Sequence, residues 1–165
     1  MKSIFKYSLF LVAIPILTSC SGGASVDVST EPIIASGEFL FEGPNTLQGV
    51  LSIDLADLAK QSQLDAATIK AVKINALTVE MPEDSIASVI ESILVQFVSD
   101  QLPLVTAGTI NPNTATRTQS LEINSEVDVL PYLKDPSSTL VVDINLGGDL
   151  DYLELPVTFK LTLQQ

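Results

Sequence analysis

The chain predicts an all-β domain: an antiparallel β-sandwich, immunoglobulin-like or related, of about seven or eight strands with one or two short helical inserts. Three observations lead there. From residue 37 onward apolar and polar residues alternate with period two, so each strand buries one face and wets the other. Turn-forming residues separate these runs at short intervals. The runs are half apolar rather than continuously apolar, which argues for antiparallel pairing over a parallel sheet wrapped in helices.

Taken in order, strands are expected at 38–42 and 48–53. A helical insert follows in two pieces, 54–61 and 65–70, each opening on an aspartate suited to capping, Asp54 and Asp65. The next strand, 72–81, carries a slip of its apolar phase between Ala76 and Leu77, the mark of a bulge or of a strand serving two sheets. In 84–99, Ile86, Val89, Ile90 and Ile93 suit an amphipathic helix, whereas the end of the run suits a buried strand. A helix over 84–91 feeding a strand over 92–99 satisfies both, with core packing as the role of its apolar stripe. A strand at 104–110 precedes the alternation of Leu121, Ile123, Val127 and Val129. The connector 128–136 holds Pro131, suited to the first turn of a short helix, and Pro136, suited to its stop, with Tyr132 and Leu133 plugging the end of the core. The last two strands are 140–146 and 157–163, with Gly147, Gly148 and Asp149 expected to turn a hairpin before the second.

The N-terminus has the zones of an export signal. Lys2 and Lys6 precede an apolar stretch over 7–17 that is too short for a bilayer span of about 20 residues. It ends in Leu17-Thr18-Ser19-Cys20, which resembles the bacterial lipobox. That resemblance implies a diacylglyceryl thioether on Cys20, cleavage after Ser19, and an acylated Cys20 as the new N-terminus, anchored to a membrane through its lipid without crossing it. Three parts are then expected: a signal over 1–19, a lipidated N-terminus and flexible tether over 20–36, and a β-sandwich domain over 37–165. A tether of that length, fully stretched at about 3.5 Å per residue, reaches about 50 Å. Ser21 stands where some lipoproteins carry an aspartate that retains them in the inner membrane, so the resemblance points to the outer membrane of a cell envelope.

Composition excludes several classes of function. The chain has 20 acidic and 8 basic residues and a formal charge of −12; all the acids follow Cys20, whereas Lys2 and Lys6 leave with the signal, which takes the remainder to about −14. Such a surface repels phosphates and anionic headgroups, so no nucleic acid partner is expected and the body is expected to stand off the bilayer. Cys20 is the single cysteine, so no intrachain disulfide supports the fold. The sequence holds no histidine, which removes the commonest general base and the usual triads, and it holds no tryptophan. No Gly-rich phosphate loop appears. The expectation is a protein that is not an enzyme and has no cofactor. One stretch resembles a hard-cation loop, with oxygen donors at Asp143, Asn145, Asp149, Asp151 and Glu154 and Gly148 at the turn. Its strand flanks and Gly147 at a ligand position favour a plain hairpin.

The order of strands, the Asp54-Leu55-Ala56-Asp57-Leu58 insert and the Leu130-Pro131-Tyr132-Leu133-Lys134 connector resembles small β-sandwich lipoproteins of bacterial envelopes. The resemblance implies a membrane-anchored protein with a structural, adhesive or protein-interaction role and an envelope protein as partner. The alternative is a carrier for a lipid or other apolar small molecule, with the 86–98 stripe as a lid over a cavity.

Overall fold

The computed structural model describes residues 25–111 and 116–165. Among them ten strands are present: β1 (Ser25–Ser29), β2 (Ile33–Leu40), β3 (Gly43–Val50), β4 (Ala71–Glu80), β5 (Ile90–Val98), β6 (Val105–Ile110), β7 (Thr118–Ser120), β8 (Glu122–Ile123), β9 (Thr139–Leu146) and β10 (Leu150–Gln164). Three short helices join them, α1 (Leu55–Gln61), α2 (Asp84–Val89) and α3 (Leu130–Lys134), with a 3-10 turn at Ala66–Thr68. Every strand pair is antiparallel. The fold is all-β, as the periodicity predicts.

The sheet runs β7-β4-β10-β2-β3-β9-β5-β6-β8, with β1 paired to β10. It folds back on itself at β2 and β3, which share one registered pair, Ser36 with Gln48. That crossing is tight: a Cβ on Gly49 would sit 2.7 Å from the Ile34 carbonyl oxygen, so only glycine lets the two backbones approach. The far edges nearly meet through residues 118–124, where Leu121 N–H donates to Leu77 O at 2.9 Å and Asn124 N–H to Ala107 O at 3.0 Å. The result is a nearly closed, flattened barrel of two facing layers. Its interior is filled with side chains, and Phe97 of β5 meets Phe159 of β10 at 5.4 Å between ring centroids. Tyr132 of α3 completes the cluster at 5.8 Å from Phe97 and donates its hydroxyl to Pro103 O, plugging the core end as expected.

β10 is the axis of the molecule. Its second half lies between β4 on one side and β1 on the other, while its first half pairs with β2. The bulge foreseen in β4 is real: Lys160 opposes Ala76 but Leu161 opposes Ile74, leaving Asn75 over, and the buried face passes from Val72 and Ile74 to Leu77 and Val79. Asp54 caps α1 by accepting from Ala56 N–H at 2.7 Å, and Asp65 accepts from Ala67 N–H at 2.9 Å. The 84–99 segment divides into α2 and β5 within a residue or two of the expected boundary.

Several expectations are corrected. Residues 25–36, expected within the tether, hold β1 and the first half of β2, because each alternate residue of that segment faces the core beside β10; Val28, Ile33 and Ala35 are buried. Of the anticipated tether only 20–24 remain, outside the described residues, as do the signal over 1–19 and Cys20. The run 121–129 is not one strand: β8 covers two residues, and the chain then leaves the sheet to reach α3, with Asp128 bridging to Lys73. The second piece of the first insert is a single 3-10 turn, not a helix over 65–70. Gly147, Gly148 and Asp149 do join β9 to β10, but these strands are not neighbours; the connection arches between layers, and β10 begins at Leu150 instead of Val157. The described residues hold ten strands rather than seven or eight because the short pieces β1, β7 and β8 pair through their backbones without a long alternating signature.

Candidate interaction surface

One end of the barrel carries an exposed aromatic tip. β2 and β3 are joined by Phe41 and Glu42, and this turn lies beside the β9–β10 arch. The strand alternation puts Ile33 and Ala35 inward, yet at the end of β2 it is Leu40 that is buried, at 5 % exposure. The phase changes at Phe39, whose φ of 53° lies in the left-handed region. Leu40 is thereby turned in toward Gly37 and Leu47, and Phe39 and Phe41 are left 72 % and 67 % exposed. A left-handed conformation is unfavourable for a bulky residue, and the ring of Phe39 gains little burial in return.

The tip is held by specific hydrogen bonds. Asn45 Oδ1 accepts from Phe41 N–H at 3.0 Å, while its Nδ2 donates to Phe41 O at 2.6 Å and Gly43 O at 2.9 Å. Glu42 N–H donates to Asp149 Oδ1 at 2.8 Å, tying the turn to the arch. Exposed carboxylates flank this turn on the same strands and arch: Glu38, Glu42, Asp149 and Asp151, with Glu154 farther along β10 opposite Ser36. Tyr152, the register partner of Glu38, is half exposed and donates its hydroxyl to Glu154; that bond and the neighbouring acids raise its pKa. Beside it, a cleft of about 270 Å³ opens between Pro82, Glu83 and Ile86 and the β10 residues Tyr152, Leu153 and Glu154.

The opposite end carries the lysines, interleaved with Asp27, Asp54, Asp57, Asp65, Glu126, Asp128 and Asp135. Lys73 opposes Thr162, Lys70 N–H donates to Gln164 O, and Lys160 lies 3.7 Å from Asp27. Lys134 ends α3, whose entry residue Val129 donates its N–H to Val72 O. Lys60 is on α1, close to the 3-10 turn whose Thr68 accepts from Gln165. Arg117 is placed between the two ends and donates to Pro82 O at 2.6 Å. Ser25, the first described residue, pairs with Gln164 at the lysine end.

The hard-cation loop is not assembled. Asp143 accepts from Thr46 on the outer face of β9, Asn145 donates to Glu91, Asp149 is used by Glu42, and Asp151 and Glu154 lie on β10 in the other layer. Among the described residues no three acidic, histidine or cysteine side chains converge as metal ligands. The hydroxyl and carboxylate cluster of Ser99, Asp135 and Ser137 serves the fold: Ser99 Oγ donates to Asp135 and accepts from Gln101 N–H at 3.0 Å, linking the end of β5 to the end of α3. Those bonds hold the Asp135 carboxyl below its usual range. Among the described residues no helix is long and apolar enough to cross a membrane.

The tip escapes sequence reasoning because Glu38-Phe39-Leu40-Phe41-Glu42 reads as a short strand, with nothing local to say which of its apolar residues faces inward. The usable signal is Leu40: five residues with three apolar in a row cannot all keep one parity, and one side must face water.

No family model and no curated protein matches the chain. Among solved structures it is similar to a chain of turnip yellow mosaic virus at 15% identity, over 87% of this chain and 94% of that one, with a TM-score of 0.29. A likeness of that size carries no argument about function.

Proposed function

We propose that the protein is a lipid-anchored component of a bacterial cell envelope with a structural, adhesive or protein-interaction role. The observation that carries this reading is the placement of Cys20. It closes a charged and apolar leader in a lipobox-like Leu17-Thr18-Ser19-Cys20, and the first strand begins only five residues later, at Ser25. Five residue steps span at most about 18 Å, so an acylated Cys20 holds the lysine end of the barrel next to the lipid rather than about 50 Å away. The filled interior supports interaction through the surface over carriage of an apolar ligand.

The test is metabolic labelling with an alkyne palmitate analogue in a bacterial host, followed by intact-mass analysis. Full-length protein is expected to take up label and to lose residues 1–19, and Cys20→Ser is expected to abolish both. Unlabelled, full-length wild-type protein would sink the anchored reading.

A further inference from the structure

We propose that the Phe39–Phe41 tip docks on a partner protein presenting an apolar pocket ringed by lysine and arginine. This deepens the interaction reading above, on which it rests, by giving it a surface and a partner chemistry.

Four observations converge. Phe39 occupies a left-handed backbone position, φ 53°, that asparagine or glycine would fill at less strain, and its ring is 72 % exposed. Strain of this kind at a surface aromatic is accounted for by a use outside the folded chain. The backbone of the turn that carries the rings is held by the Asn45 clamp and the Glu42–Asp149 hydrogen bond, so little backbone ordering is needed on binding. Large aromatic anchors in preformed positions are the side chains that dominate interface energetics.

The charge pattern selects the occupant. Glu38, Glu42, Asp149 and Asp151 flank the tip and Glu154 follows along β10, with no lysine among them; the five lysines among the described residues lie at or toward the other end of the barrel, where Asp27, Asp54, Asp57, Asp65, Glu126, Asp128 and Asp135 stand beside them. A second copy of the tip would bring like charges together, and an anionic bilayer would repel it; a basic rim around an apolar pocket complements it. Position agrees. β10 spans 15 residues from Leu150, beside the tip, to Gln164, beside Ser25. At a rise of about 3.3 Å per residue the tip stands roughly 45 Å from the end nearest Cys20, facing away from an anchoring membrane.

The experiment is site-specific photo-crosslinking of the full chain in the bacterium that makes it. p-Benzoylphenylalanine replaces Phe41 or, as a control, Val50, an equally exposed apolar residue distant from the tip. The expected result is a discrete adduct from position 41 whose cross-linked peptide lies in an apolar surface bordered by lysine or arginine, with none from position 50. Phe39→Asn, and separately the pair Glu38→Lys with Glu42→Lys, are expected to lower its yield at least about fivefold, with the thermal melt confirming that each variant stays folded. No adduct, an adduct with lipid alone or with a second copy, or a yield indifferent to both variants would overturn the proposal. Palmitate labelling of the same cells separates the two readings: an adduct from an unlabelled chain keeps the docking site and removes the anchor, whereas a labelled chain without adduct does the reverse.

Discussion

At Phe39 a single backbone angle decides which of five residues reaches the core. Leu40 turns inward and two phenylalanines turn outward, so burial and exposure at the tip share one cause. Left-handed backbone disfavours a bulky side chain by about 1–2 kcal/mol, which asparagine tolerates better. Phe39→Asn is therefore expected to raise the stability of the domain by about 1 kcal/mol in urea unfolding, while lowering tip-dependent contacts; a destabilised variant would show that Phe39 contributes packing. Asp135 works in the opposite sense. Its carboxylate accepts from Ser99 and from Ser137 N–H and Oγ, both at 2.9 Å, and its folded pKa lies below the ordinary 3.8. A depressed folded pKa contributes stability that is present above the unfolded value, about 3.9, and lost as pH falls through the folded one. The stability gap between wild type and Asp135→Asn should therefore be largest near pH 5 and shrink toward pH 2, as read from melting temperatures.

At the scale of elements, the crossing of β2 and β3 turns an open ribbon into two layers. Gly49 permits it, since a methyl group there would meet the Ile34 carbonyl oxygen at 2.7 Å and Ile33 Cγ2 at 3.2 Å. Backbone cannot move aside as a flexible side chain can, so Gly49→Ala is expected to destabilise the domain by about 1–3 kcal/mol. An unchanged denaturation midpoint would show that the crossing is loose. The bulge at Asn75 has a comparable role, returning Leu77 and Val79 to the core after Ala76 has faced outward. Its signal is local, a broken alternation within ten residues, and so the amino-acid order alone displays it. The β9–β10 arch has no such signal. Gly147, Gly148 and Asp149 would suit a hairpin equally well, and only the pairing of β10 with β2 and β4 moves the two strands apart.

For the molecule as a whole, closure depends on contacts distant in sequence. Ser25 pairs with Gln164, and the aromatic cluster joins residues 97, 132 and 159. Phe159 is fully buried at the middle of the long axis strand, so Phe159→Ala should cost about 3–5 kcal/mol in denaturant unfolding. Chains dominated by such pairings fold in milliseconds to seconds, and refolding followed by circular dichroism, apt for a sequence without tryptophan, should fall in that range. The same axis separates the ends: Ser25 and the lysines, with acids among them, at one, and the exposed rings flanked by acids without lysines at the other.

The all-β class, the caps at Asp54 and Asp65, the α2–β5 division and the Tyr132 plug were legible in the sequence because each follows from neighbouring residues: alternation, a capping oxygen, a proline in a first turn. The lipobox-like Cys20 belongs to the same kind of signal and motivates the proposed anchor. The absorption of residues 25–36 into the barrel, the arch in place of a hairpin, the dispersal of Asp143, Asn145, Asp149, Asp151 and Glu154, and the outward rings of Phe39 and Phe41 were decided only by tertiary structure. Period two determines that a strand has an inner and an outer face, but which strand it pairs with, and which parity wins where apolar residues occupy both, depends on the sheet that closes around it.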